Sequence, residues 1–369
     1  MKYYIISGET SGDLHGSNLI RALKSKDPDA QFRGWGGDQM EEAGATLVRH
    51  IKETAFMGFL EVLLNVRKIA GNIRQCKEDI EAYQPDALIF IDYSGFNLRI
   101  AQWAKPKGFN THYYISPQLW ASRANRIEKI KKYIDHMYVI LPFEQAFYAS
   151  HGFEVNYVGH PLLDAIQRMK TVTKEQFLSS HDLLPDKQII ALLPGSRKQE
   201  IQKVLPVMLS VASSFPEYQF VIAGAPNIDA EFYRSFFSTT PGTIIHNDTY
   251  SLLSQAYAAL VTSGTATLET ALFKVPQVVC YKGSWFSYQI AKRLITLDYI
   301  SLVNLIMDKE VVKELIQKDL TGQNIESELK KILSGPEREL QKTAYNLLEQ
   351  RLGSSGASER AAGLIIENS

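Results

Sequence analysis

Two carboxylates, Glu9 and Asp92, each stand just past a short apolar run, Tyr3 to Ser7 and Asp86 to Ile91. A carboxylate at the end of a buried strand, in a partly dry site, can take the proton of a hydroxyl as that oxygen attacks carbon. Asp92 is the candidate base and Glu9 a second acid beside it; the alternative is that each only satisfies loop amides. Asp13 reads as a helix N-cap. Farther along, Thr262-Ser263-Gly264-Thr265-Ala266-Thr267-Leu268-Glu269 closes an apolar run with a hydroxyl-rich glycine turn that opens a helical pattern. Free amides and the positive end of a helix dipole bind phosphate in such a turn. Ser263, Gly264 and Thr265 are expected to hold a diphosphate, with Glu269 about one turn on accepting from ribose hydroxyls. The alternative is a hydroxyl-capped helix with an acid in its first turn. The turn Gly195-Ser196-Arg197 would add Ser196 and a guanidinium on the phosphate side, where positive charge favours a departing diphosphate; otherwise Arg197 is a surface residue. His160, in Gly159-His160-Pro161, either faces the site or bonds to backbone.

Other chemistries are disfavoured. Gly8-Glu9-Thr10-Ser11-Gly12-Asp13 lacks both the G-x-G-x-x-G spacing and the lysine of a Walker loop, which argues against nicotinamide and ATP. No His/Cys/Asp cluster has metal-ligand spacing, so no metal is expected, and with nicotinamide and ATP disfavoured no cofactor is either; no Gly-x-Ser-x-Gly nucleophile elbow occurs. Cys76 and Cys280 are the two cysteines among 369 residues, which fits packing roles in a reducing compartment. Lys and Arg total 40 and Asp and Glu total 40, so no bulk charge calls for nucleic acid. The apolar N-terminal run is too short for a signal peptide, and no run approaches the ~18 residues that span a bilayer.

These residues need elements to hold them, and the pattern supplies βα units. Tyr3 to Ser7 reads as a strand, Leu14 to Leu23 as a helix, and Phe56 to Tyr83 as mainly helical. Asp86 to Ile91 and Thr111 to Ile115 read as strands with a helix at Ile100 to Lys105 between them. After a polar stretch the opening is repeated: a strand at Ile189 to Leu193, a glycine turn, and a helix through Lys203 to Val211. Strands at Phe220 to Ala223, Ala259 to Thr262 and Gln277 to Tyr281 follow, and Val311 to Leu352 reads as helix-rich. The expected fold class is α/β: two doubly wound Rossmann-like domains facing a central cleft, the GT-B architecture. The domains are placed at 1–164 and 188–335, with a linker at 165–187 and C-terminal helices at 336–369 packing across both.

Two segments exceed what a soluble core needs. From Ala55 to Val66, continuing to Ile69, apolar residues cover more than one helical face, so a second partner is required, either the core or acyl chains at a bilayer interface. Arg123, Arg126, Lys129, Lys131 and Lys132 form a cationic run, either a solvated face or a surface for anionic head groups.

Ser7-Gly8-Glu9-Thr10-Ser11-Gly12-Asp13, Met57-Gly58 with Glu61-Val62, Ile91-Asp92, Tyr114-Ile115-Ser116-Pro117 with Trp120, Leu141-Pro142-Phe143-Glu144, Gly159-His160, Leu193-Pro194-Gly195-Ser196-Arg197, Ser263-Gly264-Thr265-Ala266 and Ser301-Leu302 with Asn304-Leu305 together resemble the lipid-A-disaccharide synthases over nearly the whole chain. The resemblance implies an inverting glycosyltransferase that joins UDP-2,3-diacylglucosamine to 2,3-diacylglucosamine 1-phosphate, giving a β-1,6-linked disaccharide 1-phosphate and UDP. It assigns the base to Asp92, an essential acid to Glu9, a phosphate-side residue to Arg197 and the uridine-nucleotide site to Glu269. It places membrane docking on Leu60, Val62, Leu63, Val66 and Ile69, which implies a cytoplasmic enzyme at the inner face of the cytoplasmic membrane. Tyr93-Ser94-Gly95 stands where the family often has a small residue, proline and a second Asp, so Asp92 is the candidate carboxylate of its loop. A UDP-N-acetylglucosamine 2-epimerase and a non-catalytic lipid-binding protein are the competing readings. Oligomeric state stays open, a homodimer among the options.

Overall fold

The computed structural model describes residues 1–53, 66–120, 126–169, 171–226, 228–237, 242–283 and 298–369. The chain divides into two compact units, Met1–Asp164 with Gly353–Ser369, and Ala165–Leu352. Among the described residues the first holds seven strands: β1 (Lys2–Ile6), β2 (Gln31–Gly36), β3 (Ala45–His50), β4 (Ala87–Ile91), β5 (Thr111–Tyr114), β6 (His136–Val139) and β7 (Asn156–Tyr157). They run in the order β3-β2-β1-β4-β5-β6-β7, every pairing parallel. Alternate residues of β1 enter opposite cores, Tyr4 and Ile6 on one face of the sheet and Tyr3 and Ile5 on the other. A strand covered on both faces must be apolar throughout, which is why β1 and β4 read as unbroken runs.

The second unit repeats the plan with β8 (Gln188–Leu193), β9 (Tyr218–Gly224), β10 (Thr243–His246), β11 (Ala256–Thr262), β12 (Gln277–Tyr281) and β13 (Lys313–Ile316), ordered β10-β9-β8-β11-β12-β13 and again parallel. Ile190, Leu192, Leu260 and Val278 fill one face; Ile189, Ala191, Leu193 and Val261 fill the other. In each sheet the strand order reverses once, between β1 and β4 in the first and between β8 and β11 in the second. Beyond the carboxyl ends of strands flanking such a reversal lies the ligand position of open α/β sheets.

Several elements differ from the sequence reading. β2 and β3 lay outside it: β2 carries Gln31, Arg33, Gly34 and Gly36, so its pattern is not apolar. Gly34 is a requirement of close packing, since with φ +155° a Cβ there would lie 1.9 Å from the Ile5 carbonyl oxygen. Within the stretch read as helix-rich, Lys313–Ile316 forms the edge strand β13, beside β12. The stretch 165–187, expected as a linker, carries a helix, Lys174–Ser180, opened by a Thr173/Gln176 capping box, and buries Phe177, Leu178 and Leu183 in the second unit's core. The C-terminal helices divide between the units: Glu337–Leu352 belongs to the second, whereas Ala357–Glu367 packs on the helix Thr10–Lys26 of the first and buries Ala361, Ala362 and Ile365. Cys76 and Cys280 are free and buried.

Candidate active site

Glu9 and Asp92 follow β1 and β4, the strands that flank the first unit's reversal. The turn after β1 is shaped by contact with the other loop: a Cβ on Gly8 would meet the Tyr93 ring at 2.3 Å, so only glycine lets the two loops close together. Glu9 is the exposed residue that precedes the helix Thr10–Lys26 and makes no capping bond. Asp92 and Tyr93 are both left-handed, φ +44° and +45°, and Ile115, at the end of adjacent β5, has φ +62°. Non-glycine residues pay for that conformation, a β-branched one most of all, and persist there only when the surroundings hold them. The holding groups are present. Asn97, fully buried, donates from Nδ2 to the carbonyls of Asp92 (2.8 Å), Ile91 (3.3 Å) and Ile6 (3.4 Å), and the Tyr113 hydroxyl also donates to the Asp92 carbonyl. Below Ile115, the Ser116 hydroxyl donates to buried Glu144, whose other oxygen accepts from the amides of Leu141 (2.9 Å) and Ile140 (3.2 Å).

With its backbone fixed, the Asp92 carboxyl is left with one stabilising hydrogen bond, from Tyr93. Burial, and then the negative charge of Glu9, push its pKa up from 3.8 to about 6. A carboxylate so placed is ionised at neutral pH yet more basic than one in water, which suits a general base.

Asp13 serves another helix than its own. It lies inside the first turn of Thr10–Lys26, and its carboxylate accepts from the amides of Gly37 (2.7 Å), Met40 (3.0 Å) and Gln39 (3.1 Å), closing the start of the helix Asp38–Glu42. His160 takes the backbone alternative: it is buried, its Nδ1 accepts from the Leu162 amide (3.2 Å), and burial followed by neighbouring His15 lowers its pKa to about 3, so it stays neutral.

In the second unit, the turns after β8 and β11 again flank the reversal. They line a cavity of about 420 Å³ with Gly195, Ser196, Arg197, Ser263, Gly264, Thr265 and Glu269 on its wall. All six nucleotide-side residues read from the sequence are thus brought to one place. Gly264, φ +143°, precedes the helix Thr265–Leu272, whose first amides have no intrahelical partners. The Ser263 hydroxyl proton is engaged elsewhere, donated to the Ile300 carbonyl (2.8 Å), so the turn presents its backbone and the exposed Thr265 to a ligand. The segment beyond Ile300 is clamped in turn: Glu314 accepts from the amides of Ile300 (3.0 Å) and Ser301 (2.9 Å) and from Asn304 Nδ2 (2.9 Å). The Ser301/Asn304 motif is therefore a support beneath the turn.

Two cavity residues were missed by sequence reasoning. Glu200, in the first turn of the helix Lys198–Leu209, packs its carboxylate where a Cβ of Gly195 would lie, 2.2 Å from Oε2, and Thr262 donates to its Oε1 (3.4 Å). Burial raises its pKa against the opposing pull of Arg197. Its place three residues after Arg197, in a helix's first turn, was a readable signal. Tyr250 donates from its hydroxyl to Glu269 Oε1 (3.1 Å), and burial raises the Glu269 pKa against that bond. Nothing local marked Tyr250. Among the described residues, no group of three or more His, Cys, Asp or Glu is arranged to hold a metal ion.

Most of the residues expected to dock on a membrane lie outside the described residues. Leu60, Val62 and Leu63 lie outside the described residues; Val66 opens the helix Val66–Tyr83 and Ile69 is half-buried in it. Arg123 is also outside. Lys129, Lys131 and Lys132 are exposed, Lys131 facing Glu128 at 3.6 Å and Lys132 over the Tyr133 ring. No helix of the described residues is long and apolar enough to cross a membrane.

Among solved structures, the fold matches the UDP-GlcNAc 2-epimerase of Neisseria meningitidis with a TM-score of 0.72 at 14% identity, each chain covered completely. It also matches the glycotransferase of kitacinnamycin with a TM-score of 0.69 at 14% identity, over 100% of this chain and 98% of that one. These likenesses carry the two-domain GT-B fold. Sequence relatives carry more. The lipid-A-disaccharide synthase of Syntrophus aciditrophicus is 40% identical over 98% of this chain and 96% of its own, and that of Geobacter sulfurreducens is 37% identical over the same shares. The corresponding protein of Coxiella burnetii is 40% identical over 89% of this chain and 88% of its own. The family described as lipid-A-disaccharide synthetase matches residues 3–365, and this chain belongs to that family of glycosyltransferases.

Proposed function

We propose that the protein transfers 2,3-diacylglucosamine from UDP-2,3-diacylglucosamine to the 6-hydroxyl of 2,3-diacylglucosamine 1-phosphate, with inversion. Asp92 takes the hydroxyl proton as the new C–O bond forms at the anomeric carbon. The old bond breaks toward the diphosphate, whose charge is met by the amides after Gly264 and by Arg197. Glu9 helps keep Asp92 basic through its charge. The observation that carries this reading is the second unit's cavity, where a helix N-terminus, a cation and a buried acid meet at the strand-order reversal. Membership in the family supports a UDP-sugar donor and a lipid acceptor.

The test is product analysis by mass spectrometry with both acylated sugars. A disaccharide 1-phosphate that forms only when acceptor is supplied is expected; epimerised monosaccharide, or no product, overturns the proposal. For location we propose the inner face of the cytoplasmic membrane, supported by the exposed Lys129, Lys131 and Lys132 and by the apolar composition of 55–69. Replacing Leu63 and Val66 by Ser should weaken binding to anionic vesicles, and unchanged binding would refute the docking role.

A further inference from the structure

A carboxylate that recognises a pair of neighbouring hydroxyls must present its oxygens at a fixed angle, because each hydrogen bond is directional. Glu269 is a long side chain with three torsions, and in the short helix Thr265–Leu272 its backbone alone does not fix the carboxylate plane. What fixes it is Tyr250. The phenol stands in the first turn of the helix Thr249–Gln255, its ring packed on Phe273 with centroids 5.5 Å apart, and its hydroxyl donates to Oε1. A phenol has one proton to give, so this bond occupies one lone pair of Oε1. Among the described residues Oε2 has no donor, and Glu269 lies on the cavity wall.

We propose that Tyr250 is a positioning residue that locks the Glu269 carboxylate so that it accepts from both ribose hydroxyls of the bound nucleotide, making the 2′-hydroxyl a specificity element of the site. This rests on the reading that the cavity holds a uridine nucleotide. A carboxylate has about four acceptor positions, enough for the phenol and two ribose hydroxyls. Without the phenol, Glu269 is free to turn and loses the donor that favours its ionised form. Among the described residues, the other ionisable groups on the cavity wall are Glu200 and Arg197. The Tyr250 phenol itself is held protonated, first by burial and then by the charge of Glu269.

The experiment compares UDP with 2′-deoxyuridine diphosphate by calorimetry on the full-length protein and on Tyr250→Phe, Glu269→Gln and the double variant. A charge-assisted hydrogen bond from the 2′-hydroxyl predicts that the unaltered protein prefers UDP by about tenfold or more. In Tyr250→Phe this preference should shrink to about threefold or less through weaker UDP binding, with 2′-deoxyuridine diphosphate bound nearly as before. Adding Tyr250→Phe to Glu269→Gln should cost nothing further. The Tyr250→Phe deficit should grow at acid pH, because removing the donor raises the pKa of Glu269, and should persist at high pH, where the lost orientation alone remains. An equal loss for both nucleotides, or a retained preference, overturns the positioning role. Should the unaltered protein fail to bind UDP, the nucleotide reading itself falls; if it binds UDP and shows no preference, only the present proposal does. Should Tyr250→Phe fail to fold, the Glu269→Gln variant decides alone, since a full preference for UDP in it overturns the proposal.

Discussion

Replacing Asp92 by Asn should make the protein inactive and more stable together. Asn is the informative substitution because it tolerates the left-handed backbone at φ +44° and can still accept from the Tyr93 amide, so only the charge is removed. The folded protein binds the Asp92 proton more tightly than the unfolded chain, with a pKa of about 6 against 3.8. Between those values the native state carries the extra proton, so this group's effect on stability worsens as pH rises through the interval and levels off above it. At 1.36 kcal/mol per pKa unit the whole interval is worth about 3 kcal/mol, an upper bound because the carboxyl is partly solvated. Asp92→Asn should therefore gain about 1–3 kcal/mol at pH 8, raising Tm by about 2–4 °C per kcal/mol, and gain almost nothing near pH 4. Turnover should fall by about 10²–10⁴ while UDP still binds. Thermal unfolding at the two pH values, beside a pH profile of kcat/KM for the unaltered protein, tests both parts. The unaltered profile should drop on the acid side with a midpoint near 6. A stability gain equal at pH 4 and pH 8, a loss at pH 8, or an acid limb near pH 4 would refute the account of Asp92.

Other expectations follow from the same geometry. Glu9→Gln removes the charge that helps hold Asp92 basic, so the acid limb of kcat/KM should move below 6; an unmoved limb would mean burial alone sets it. Asn97→Ala removes one side-chain donor from three strand-end carbonyls, of which that of Asp92 keeps the Tyr113 hydroxyl, and should cost about 2–3 kcal/mol in urea unfolding, with kcat/KM falling as the Asp92 loop loosens. Asp13→Ala leaves the amides of Gly37, Gln39 and Met40 without their acceptor and should destabilise by about 2–4 kcal/mol while leaving affinity for UDP intact, which calorimetry checks.

Legibility in the sequence tracked how local each feature is. Strands sandwiched on both faces, such as Ala87–Ile91 and Gln188–Leu193, announce themselves as apolar runs. Both cavity turns were readable because a strand, a glycine and a helix start fall within about eight residues. β2 was hidden by Gly34 and Gly36, whose presence answers a backbone contact with Ile5 that no local pattern encodes. Asp13 looked like a cap and is one, but for a helix 25 residues on, a choice made by tertiary packing. Tyr250 reaches Glu269 across 19 residues from a different helix, and nothing in its own neighbours predicts that partner.

The return of Ala357–Glu367 to the first unit also has a consequence for synthesis. The ribosome releases Met1–Asp164 early, yet that unit lacks the helix that buries Ala361, Ala362 and Ile365 against its core until some two hundred further residues have been made. The second unit, contiguous from Ala165 to Leu352, is complete first. A nascent chain thus completes the second unit before the first, with apolar surface on the helix Thr10–Lys26 open to chaperones or to another chain's last helix. A chain cut before Ala357 would keep every residue of the second unit and leave the first without the helix that covers Leu19, Ile20 and Leu23.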